Sequence, residues 1–476
     1  MKRREMLARM GAISVGLTAP QLSKGEVLAA PYTIKKLKIE TDILIVGGGT
    51  AGVIAAIQAG RAGAKTTLIE SGSQLGGTTT TGGVSFPGIF HAWGKQIIGG
   101  IGWELLMEAV NLNDDILPNF SIVPNNTTIR HWRHQVTVNG ALYALLAEEK
   151  CIEAGVDIHF YETPTEITFN GGKWTVKTVG KGITHEIICD QIIDCSGNAA
   201  AASIAGFPLL READTQPGSF IFRIGGYDFD SLDLSKIPKE YHGRLRQNML
   251  INDEVKVESS VNNFPPTPPY NYVYVHGADS STAALHTQAN LKGRAELLKL
   301  IRTLRTFPGC EKLKLLDAQP ETAVRETYRI DGLYKISHED YVSGKVFPDS
   351  LSYSFYPIDL HRNGESIYQE FLKEDVVATI PLRSLIPKSS RNFLVAGRCL
   401  SSDRLANSAL RVQASCMGMG QAAAAAAVLA IKYQVTPAEV PLDGYQAAFF
   451  EQVKTRIFNL VIMKKSKFSE EQVIKI

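Results

Sequence analysis

The sequence predicts an α/β fold with a parallel sheet, and three observations early in the chain support that prediction. The run Asp42–Val46 is apolar and rich in β-branched residues, as a strand buried on both faces must be. Three glycines follow it in the pattern G-x-G-x-x-G: Gly47, Gly49 and Gly52. A helix rich in alanine comes next, and Glu70 closes the following apolar run. This strand–loop–helix–strand order predicts a Rossmann-type unit that binds a dinucleotide.

Each residue of this unit has a physical role in holding a diphosphate. Gly47 permits a tight turn, Gly49 lets the diphosphate approach the backbone, and Gly52 lets the helix pack close to the strand. Ala51 lies in the first helical turn, where free N–H groups and the positive end of the helix dipole attract the diphosphate. Glu70 is expected to accept hydrogen bonds from ribose hydroxyls. The alternative is a glycine-rich turn in an ordinary α/β unit.

Composition and charge exclude several classes of protein. The chain has 476 residues, enough for about two or three domains. Its formal net charge of +2 implies no polyanion-binding surface, so we expect no nucleic-acid partner. The six cysteines form no C-x-x-C pair, which indicates neither a redox dithiol nor a zinc cluster, and no metal site is predicted.

Residues 1–30 have the pattern of an export signal. A charged start with adjacent Arg3 and Arg4 precedes a mildly apolar stretch, 10–20, that is too short to span a bilayer. Small residues within 27–30 suit cleavage by a signal peptidase. The paired arginines favour the twin-arginine route, with a general secretory signal or a disordered tail as alternatives. We therefore expect a periplasmic or extracellular protein with no transmembrane segment in the mature chain.

Changes in the pattern of strand-like and helix-like runs divide the rest of the chain into four segments. They are the first part of the nucleotide domain (40–206), an inserted β-rich α+β substrate domain (207–390), the returning part of the nucleotide domain (391–435) and a C-terminal helical segment (436–476). The expected elements are helices over 103–112, 138–154, 291–304 and 418–433, strands over 156–161, 187–189, 191–194 and 392–396, and a hairpin about 170–172. The chain thus leaves the nucleotide domain and comes back to it.

Three further features indicate which dinucleotide is bound. A second glycine loop, Gly76-Gly77-Thr78, follows the acid and suits a longer ligand that is wrapped from both sides. The turn Ser196-Gly197 resembles the turn by which FAD proteins pass close to the cofactor. The last strand ends at Arg398, and we expect the alanine-rich helix to begin at Gly418. In FAD proteins such a helix N-terminus stabilises negative charge on the reduced flavin. In this order the features predict FAD.

On these residues the chain resembles the FAD-dependent oxidoreductase family of exported bacterial proteins, some of whose members are called xanthan lyase-related. The matching stretches cover most of the mature chain: 82–88, 91–94, 325–332, 356–361, 381–387 and 395–421. The resemblance implies a glutathione-reductase-type FAD domain with a β-rich substrate domain, and it places Arg398, Arg411, Val412 and Gln413 at the cofactor. Two residues depart from the pattern, since Arg398 and Asn198 each stand where many flavoproteins have aspartate.

Hydride transfer to a flavin needs a base near the substrate and cations that hold its polar groups. His361 is the first candidate base because it follows an apolar run at the expected inter-domain face, and His91 in the glycine-rich loop is the second. Arg325 and Arg383 are candidates for contact with the substrate. The alternatives are a strand-end histidine bonded to the backbone and arginines that clamp internal carboxylates.

The sequence shows no separate NAD(P)H site, because Gly100-Ile101-Gly102 lacks a preceding strand and the third glycine. Reoxidation is then left to oxygen, a quinone or an electron carrier, so the electron acceptor is unknown. We expect an FAD-dependent oxidoreductase that dehydrogenates a polar small-molecule substrate, such as a sugar or another hydroxy compound, by hydride transfer to flavin N5. The alternatives are a flavoprotein lyase or isomerase acting on a carbohydrate and a non-enzymatic FAD-retaining binding protein.

Overall fold

The computed structural model of the protein describes residues 34–121, 134–247, 271–362 and 367–442. Within these ranges the strands are β1 (Lys35–Val46), β2 (Thr66–Glu70), β3 (Gly88–Ile89), β4 (His91–Ala92), β5 (Lys95–Gln96), β6 (Gln135–Val136), β7 (Asp157–Phe160), β8 (Thr163–Asn170), β9 (Lys173–Gly180), β10 (Ile183–Asp194), β11 (Leu209–Leu210), β12 (Gly218–Gly225), β13 (Asn271–Val275), β14 (Lys314–Ala318), β15 (Arg329–Ile330), β16 (Ser350–Ser354), β17 (Ile358–Leu360), β18 (Tyr368–Glu370), β19 (Ala378–Pro381) and β20 (Phe393–Val395). The helices are α1 (Thr50–Arg61), α2 (Gly100–Leu112), α3 (Gly140–Glu153), α4 (Ala200–Ile204), α5 (Lys239–Gln247), α6 (Ala283–Leu304), α7 (His338–Ser343), α8 (Arg404–Leu410) and α9 (Gln413–Tyr433).

A seven-stranded sheet forms the centre of the molecule, in the order β7-β2-β1-β10-β9-β8 with β20 also paired to β10. Strand β1 is parallel to β2 and β10, and β7 and β20 continue the parallel part on either side. Strands β8 and β9 pair antiparallel and extend the start of β10 as a meander. The two strands expected at 187–189 and 191–194 are one strand, because Asp190 stays in the sheet and accepts a hydrogen bond from Lys173 on β9 at 3.1 Å.

Helix α3 illustrates how local signals set the element ends. It begins where the Asn139 side chain accepts hydrogen bonds from the N–H groups of Ala141 and Leu142, at 3.0 and 3.2 Å. It ends before Gly155, whose φ of +76° an L residue rarely adopts. The helix expected over 138–154 is therefore confirmed to within two residues of each end.

Helix α9 packs directly on α1. A Cβ on Gly420 would lie 2.2 Å from the Ala51 carbonyl oxygen, so only glycine permits this approach of the two backbones. The expectation that the helix begins at Gly418 is wrong, since it begins at Gln413 and both glycines lie inside it. The glycines there serve close packing and do not mark a helix end. By length and hydropathy α9 could cross a membrane, but 72% of its most apolar stretch is buried within the protein.

Side chains from the segment 207–390 contribute to three cores, one of which joins Ile330 to Leu44 of β1. Around Phe220 and Leu297, apolar residues of β12, β13 and α6 form a separate core of their own. Side chains from 336–386 instead join the core that contains Ile43 of β1. The domain boundaries at 207 and 390 stay predictions.

Two predicted segments fall wholly or mostly beyond the described ranges. The export signal, 1–30, lies outside the described residues. The C-terminal helical segment, 436–476, is described only as far as 442 and includes a short 3-10 helix, Pro437–Glu439. The cysteines expected to be small buried residues are all buried and unpaired: Cys151, Cys189, Cys195, Cys310, Cys399 and Cys416.

Candidate functional site

The glycine loop after β1 forms a cradle at the start of α1. Gly47 has a φ of +97°, and a Cβ there would lie 2.8 Å from the Cys195 carbonyl oxygen, so only glycine fits. At Gly49 the neighbourhood is open, because the nearest heavy atom to a Cβ would be that same oxygen at 3.9 Å. Gly49 is also the N-cap of α1 and supplies no side-chain cap to the first turn, which contains Ala51. Open space in front of an uncapped helix N-terminus fits a diphosphate.

The acid and the second glycine loop adjoin this cradle. The Glu70 carboxylate accepts hydrogen bonds from the Gly48 N–H at 2.7 Å and the Gly72 N–H at 2.6 Å. A Cβ on Gly77 would lie 2.9 Å from the Gly49 Cα, so the two glycine loops touch. The predicted residues Gly47, Gly49, Ala51, Gly52, Glu70, Gly76, Gly77 and Thr78 therefore lie on two adjoining loops and the elements that hold them.

The turn after β10 closes the cradle from the other side. A Cβ on Gly47 would also lie 2.9 Å from the Ser196 Cα, which brings the turn Ser196-Gly197 against the first glycine loop. The Asp194 carboxyl, whose pKa is raised by burial, accepts the Ser196 N–H at 2.9 Å. The Ser196 hydroxyl accepts the N–H of Ala200, the first residue of the short helix α4, at 2.9 Å. Asp194 and Ser196 thus fix the shape of the turn.

Arg398 is the charged group of this turn. Its guanidinium donates to the Gly197 carbonyl at 2.5 Å, the Asn198 side-chain oxygen at 2.7 Å and the Val324 carbonyl at 2.5 Å. Burial lowers the pKa of Arg398, and the acceptors of its hydrogen bonds are neutral oxygens. The two departures from the family pattern, Arg398 and Asn198, therefore bond to each other. A buried cation with neutral partners is suited to face an anionic group such as a diphosphate.

The N-terminus of α9 is bonded to the chain that follows the second glycine loop. The Gln413 side chain donates to the Val84 carbonyl at 2.8 Å and accepts a short hydrogen bond from the Thr79 hydroxyl. The Ala414 N–H donates to the Pro87 carbonyl at 2.9 Å. Arg411, Val412 and Gln413 are thereby held between α8 and α9, beside the chain that follows the second glycine loop.

His361 lies in a hydrogen-bonded cluster next to Arg411. Its Nδ1 is 3.0 Å from the Tyr274 hydroxyl, and its Nε2 is 3.1 Å from the Asp359 carboxylate. Its backbone N–H donates to the Gln216 side chain at 3.2 Å. Arg411 donates to that Gln216 oxygen and to the Asp359 carbonyl, each at 3.3 Å. The predicted base is therefore buried between a tyrosine and an aspartate.

The charges in this cluster set the direction of its hydrogen bonds. Burial would raise the pKa of Asp359, but the hydrogen bond from His361 and the charge of Arg411 lower it to about 2. Burial lowers the pKa of His361 despite its bond to Asp359, so the imidazole is neutral near neutral pH. A neutral imidazole that donates from Nε2 to a carboxylate must accept at Nδ1. The Tyr274 hydroxyl therefore donates to His361, which donates to Asp359.

Arg325 joins the His361 cluster, whereas Arg383 is held elsewhere. The Arg325 guanidinium lies 5.7 Å from the centre of the Tyr274 ring and donates to the Ser219 hydroxyl at 3.0 Å. Arg383 forms a two-point ion pair with Asp349, both bonds at 3.0 Å, and 43% of its side chain is exposed. Arg383 therefore clamps an internal carboxylate, which is the alternative that the sequence left open.

His91 lies in an aromatic cluster of its own. Its ring stacks on Phe120 with centres 3.7 Å apart, and Trp103 and His134 surround it. Burial, together with the charge of His134, lowers the pKa of His91 to about 3. Within the described residues, the hydrogen bonds and ring contacts of His91 do not reach the His361 cluster. Of the four candidate catalytic residues, the structure brings together His361 and Arg325.

Sequence reasoning missed Tyr274, Asp359 as a partner of His361, and Gln216. Tyr274 lies on β13, whose segment Asn271–Val275 carries tyrosines at alternate positions on one side of the strand. That alternation is the one signal in the sequence that points to it, and nothing local indicates its contact with His361.

Cradle, acid, second glycine loop and uncapped helix together define an α/β flavoprotein, and the sequence comparison agrees. The chain belongs to the FAD dependent oxidoreductase family, whose model matches residues 42–449. The protein is an FAD-dependent oxidoreductase, with FAD as its cofactor. The diphosphate cradle at Gly49 and the Glu70 carboxylate fit that cofactor.

Several solved structures show a low similarity to this chain. A geranylgeranyl bacteriochlorophyll reductase-like protein from Thermoplasma acidophilum is 13% identical with a TM-score of 0.40, covering 88% of this chain and 84% of that chain. The p-nitrophenol 4-monooxygenase PnpA from Pseudomonas putida is 12% identical with a TM-score of 0.42, covering 90% and 91%. The myxobacterial chondrochloren halogenase CndH is 11% identical with a TM-score of 0.41, covering 92% and 86%. No curated protein sequence matches the chain significantly. Similarities this low do not bear on the activity of this chain.

Proposed function

We propose that the protein dehydrogenates a polar small molecule that bears a hydroxyl group. In this reaction the carbon loses a hydride and the oxygen loses a proton, so that a hydroxy compound becomes a carbonyl compound. FAD, when bound, supplies the acceptor for the hydride at N5. The chain's own residues must therefore bind the hydroxyl, receive its proton and stabilise the negative charge that develops on oxygen.

The main support for this proposal is that both ring nitrogens of His361 already have hydrogen-bond partners. Nε2 is bonded to Asp359 and Nδ1 to Tyr274, so neither nitrogen is free to take a proton from a substrate directly. Tyr274 is half-buried, whereas His361 and Asp359 are buried, so Tyr274 is the most exposed member of this series. It can accept the substrate proton while it passes its own proton to His361, whose positive charge Asp359 then stabilises. Tyr274 is therefore the residue that contacts the substrate hydroxyl, and His361 acts behind it.

Two cations support the same assignment. Arg325 lies over the Tyr274 ring, and the Arg411 Nη2 is 3.9 Å from the Asp359 carboxylate. The Arg411 Nε is buried and has no hydrogen-bond partner among the described residues. Positive charges fixed beside a developing alkoxide lower the barrier to its formation. Arg411 directly precedes the N-cap of α9, so the cluster adjoins the helix end that the family places at the flavin.

The finer family features enter as proposals that rest on particular observations. The antiparallel meander β8–β10 beside a parallel sheet supports the glutathione-reductase-type subclass. The resemblance to xanthan lyase-related members supports sugars as the first compounds to screen. Arg3 and Arg4 support export by the twin-arginine route to the periplasm or cell exterior. For reoxidation we propose oxygen, a quinone or an electron carrier.

Anaerobic reduction of the purified holoprotein tests the proposed function. Candidate hydroxy compounds are mixed with the enzyme, and bleaching of the flavin absorption is followed in a stopped-flow instrument. Tyr274→Phe is expected to keep FAD and to slow bleaching by about 10²–10⁴-fold, because it removes the proton-accepting oxygen. Tyr334→Phe is the matched control, since that hydroxyl donates to Asp340 at 2.8 Å outside the cluster.

Two outcomes would contradict the proposal. Wild-type bleaching rates in Tyr274→Phe would remove Tyr274 from the reaction. Turnover of a carbohydrate with no flavin bleaching in the wild-type protein would replace dehydrogenation by the lyase alternative.

A further inference from the structure

A second cluster of ionisable side chains lies on the main sheet and its adjoining turn, on elements other than those that hold His361. Glu162, in the turn after β7, sits between two imidazoles. Its carboxylate oxygens are 3.3 Å from the His159 Nδ1 and 2.9 Å from the His185 Nδ1. The side chains of Glu162 and His185 are each 3% exposed, and that of His159 is 20% exposed. Neither the dinucleotide site nor the proposed reaction uses these groups.

We propose that His159, Glu162 and His185 bind a divalent transition-metal ion, with Zn²⁺ as the ion that suits this ligand set. Two imidazole nitrogens and a carboxylate are the protein ligands of many zinc sites. Ligands about 2.0–2.1 Å from a tetrahedral ion lie about 3.3–3.4 Å from one another. The two histidine nitrogens lie 3.3 and 2.9 Å from different oxygens of the Glu162 carboxylate, and one ligand atom from each of the three residues lies within 4.8 Å of the others. The group is therefore compact enough for one ion to contact all three residues.

The surroundings of the cluster resemble the outer shell of a metal site. The second nitrogen of His159, Nε2, is 2.9 Å from the Asp157 carboxylate, which fixes the orientation of the ring. The Thr178 hydroxyl donates to the Glu162 carboxylate at 2.6 Å. Metal-binding histidines commonly bond a carboxylate through the nitrogen that does not bind the metal. The partial exposure of His159 leaves access for an ion and for a water molecule as fourth ligand.

Charge balance permits a metal ion in this cluster. Asp157 and Glu162 bring two carboxylates to two imidazoles, and one divalent cation would neutralise that set. The competing arrangement is a purely protonic one, in which imidazolium groups pair with the same carboxylates. Metal content distinguishes the two arrangements, because only the first holds an ion.

The position of the cluster gives the ion a structural role. The Glu162 N–H donates to the Glu70 carbonyl at 3.0 Å, and the neighbouring Tyr161 N–H donates to the Gly72 carbonyl at 3.2 Å. The turn that carries Glu162 is therefore bonded to the backbone of the acid that accepts the FAD ribose. A metal ion that joins this turn to β10 would stabilise the wall behind the ribose, whatever reaction the flavin performs.

Metal titration of the holoprotein tests the site. The protein is dialysed against a chelator, then equilibrated with Zn²⁺, and bound metal is measured by atomic emission; Co²⁺ serves as a second probe through its d–d absorption. We expect wild-type protein to hold one Zn²⁺ per chain, to unfold at a higher temperature with Zn²⁺, and to give the intense bands of four-coordinate Co²⁺. His286→Ala is the matched control, because His286 lies outside the cluster, with its Nε2 3.9 Å from the Glu321 carboxylate.

The variants distinguish a metal site from a set of imidazolium groups paired with carboxylates. His159→Ala and His185→Ala are expected to lose stoichiometric Zn²⁺, and Asp157→Asn to bind it about 10–100-fold more weakly. The flavin spectrum checks folding, and if His185→Ala does not fold, the more exposed His159→Ala and Asp157→Asn decide. The proposal is overturned if wild-type protein holds no Zn²⁺, or if His159→Ala and Asp157→Asn bind it like His286→Ala.

Discussion

Replacing Gly49 by leucine separates the binding of FAD from the folding of the loop. Gly49 has extended backbone angles, φ −72° and ψ −169°, which leucine adopts without strain. A Cβ there would meet one protein atom within 4 Å, the Cys195 carbonyl oxygen at 3.9 Å. The leucine side chain would instead extend into the open space in front of the helix N-terminus. The apoprotein should therefore fold normally.

The loss of FAD affinity follows from the contacts that leucine would prevent. A diphosphate excluded from the first turn of α1 forgoes about two hydrogen bonds from N–H groups to charged oxygens, at about 1.5–3 kcal/mol each. The expected loss is thus about 3–6 kcal/mol. At about 1.4 kcal/mol per tenfold change, the Kd for FAD should rise by roughly 10²–10⁴-fold.

Fluorescence titration of apoprotein with FAD measures that Kd, and thermal unfolding of the apoprotein measures stability. Gly52→Ala is the contrasting variant, because its Cβ would lie 1.9 Å from the Gly47 carbonyl oxygen. It should destabilise the apoprotein itself, by about 1–3 kcal/mol or more. Wild-type FAD affinity in a folded Gly49→Leu protein would refute the assignment of the open space to the diphosphate.

Three further predictions concern residues outside the cradle. Arg383→Gln should leave FAD content and flavin reduction unchanged. It should lower the free energy of unfolding in urea by about 0.2–1 kcal/mol, since the partly exposed Arg383 side chain pairs with Asp349. A large loss of reduction rate would instead place Arg383 at the substrate site. His91 has a pKa of about 3 when folded against 6.5 when unfolded, so the unfolded chain binds more protons between those values and stability is lost as pH falls from about 6.5. The loss due to His91 should reach about 2 kcal/mol at about pH 5, and His91→Leu should show a correspondingly smaller difference between urea unfolding at about pH 5 and about pH 7.5. Replacing Arg3 and Arg4 together by lysine should retain the precursor inside the cell; cell fractionation that finds unchanged export would exclude the twin-arginine route.

The sequence was sufficient to predict the FAD cradle because the contacts that shape it leave local traces. Gly47 and Gly52 are required by close backbone approaches, which restrict the sequence to glycine, whereas Gly49 borders the open space that suits the diphosphate. Strand β2 and the C-terminal part of β1, residues 43–46, are buried on both faces, so their apolar runs stand out. The meander was also predictable, because Gly171 and Gly172 mark the turn of its hairpin.

The substrate cluster was only partly predictable, because it joins segments that are distant along the chain. His361 could be singled out, but its bond to Tyr274 depends on how β13 packs beside β17. Considered separately, Arg398 and Asn198 each replace a carboxylate of the flavoprotein pattern. Only the hydrogen bond between their side chains shows that the two replacements fit together. Nor does the sequence reveal the Glu162 cluster, since His159 and His185 lie on different strands.

The contact between Gly420 and Ala51 has a consequence for the order in which the protein is made. Helix α1 leaves the ribosome early, yet the face of α1 that packs on α9 is covered only when α9 has been synthesised. This apolar face of the nascent nucleotide unit therefore stays exposed to solvent, or is bound by a chaperone, until residue 433 has emerged. Any chain released before that point would lack the helix that packs on Ala51.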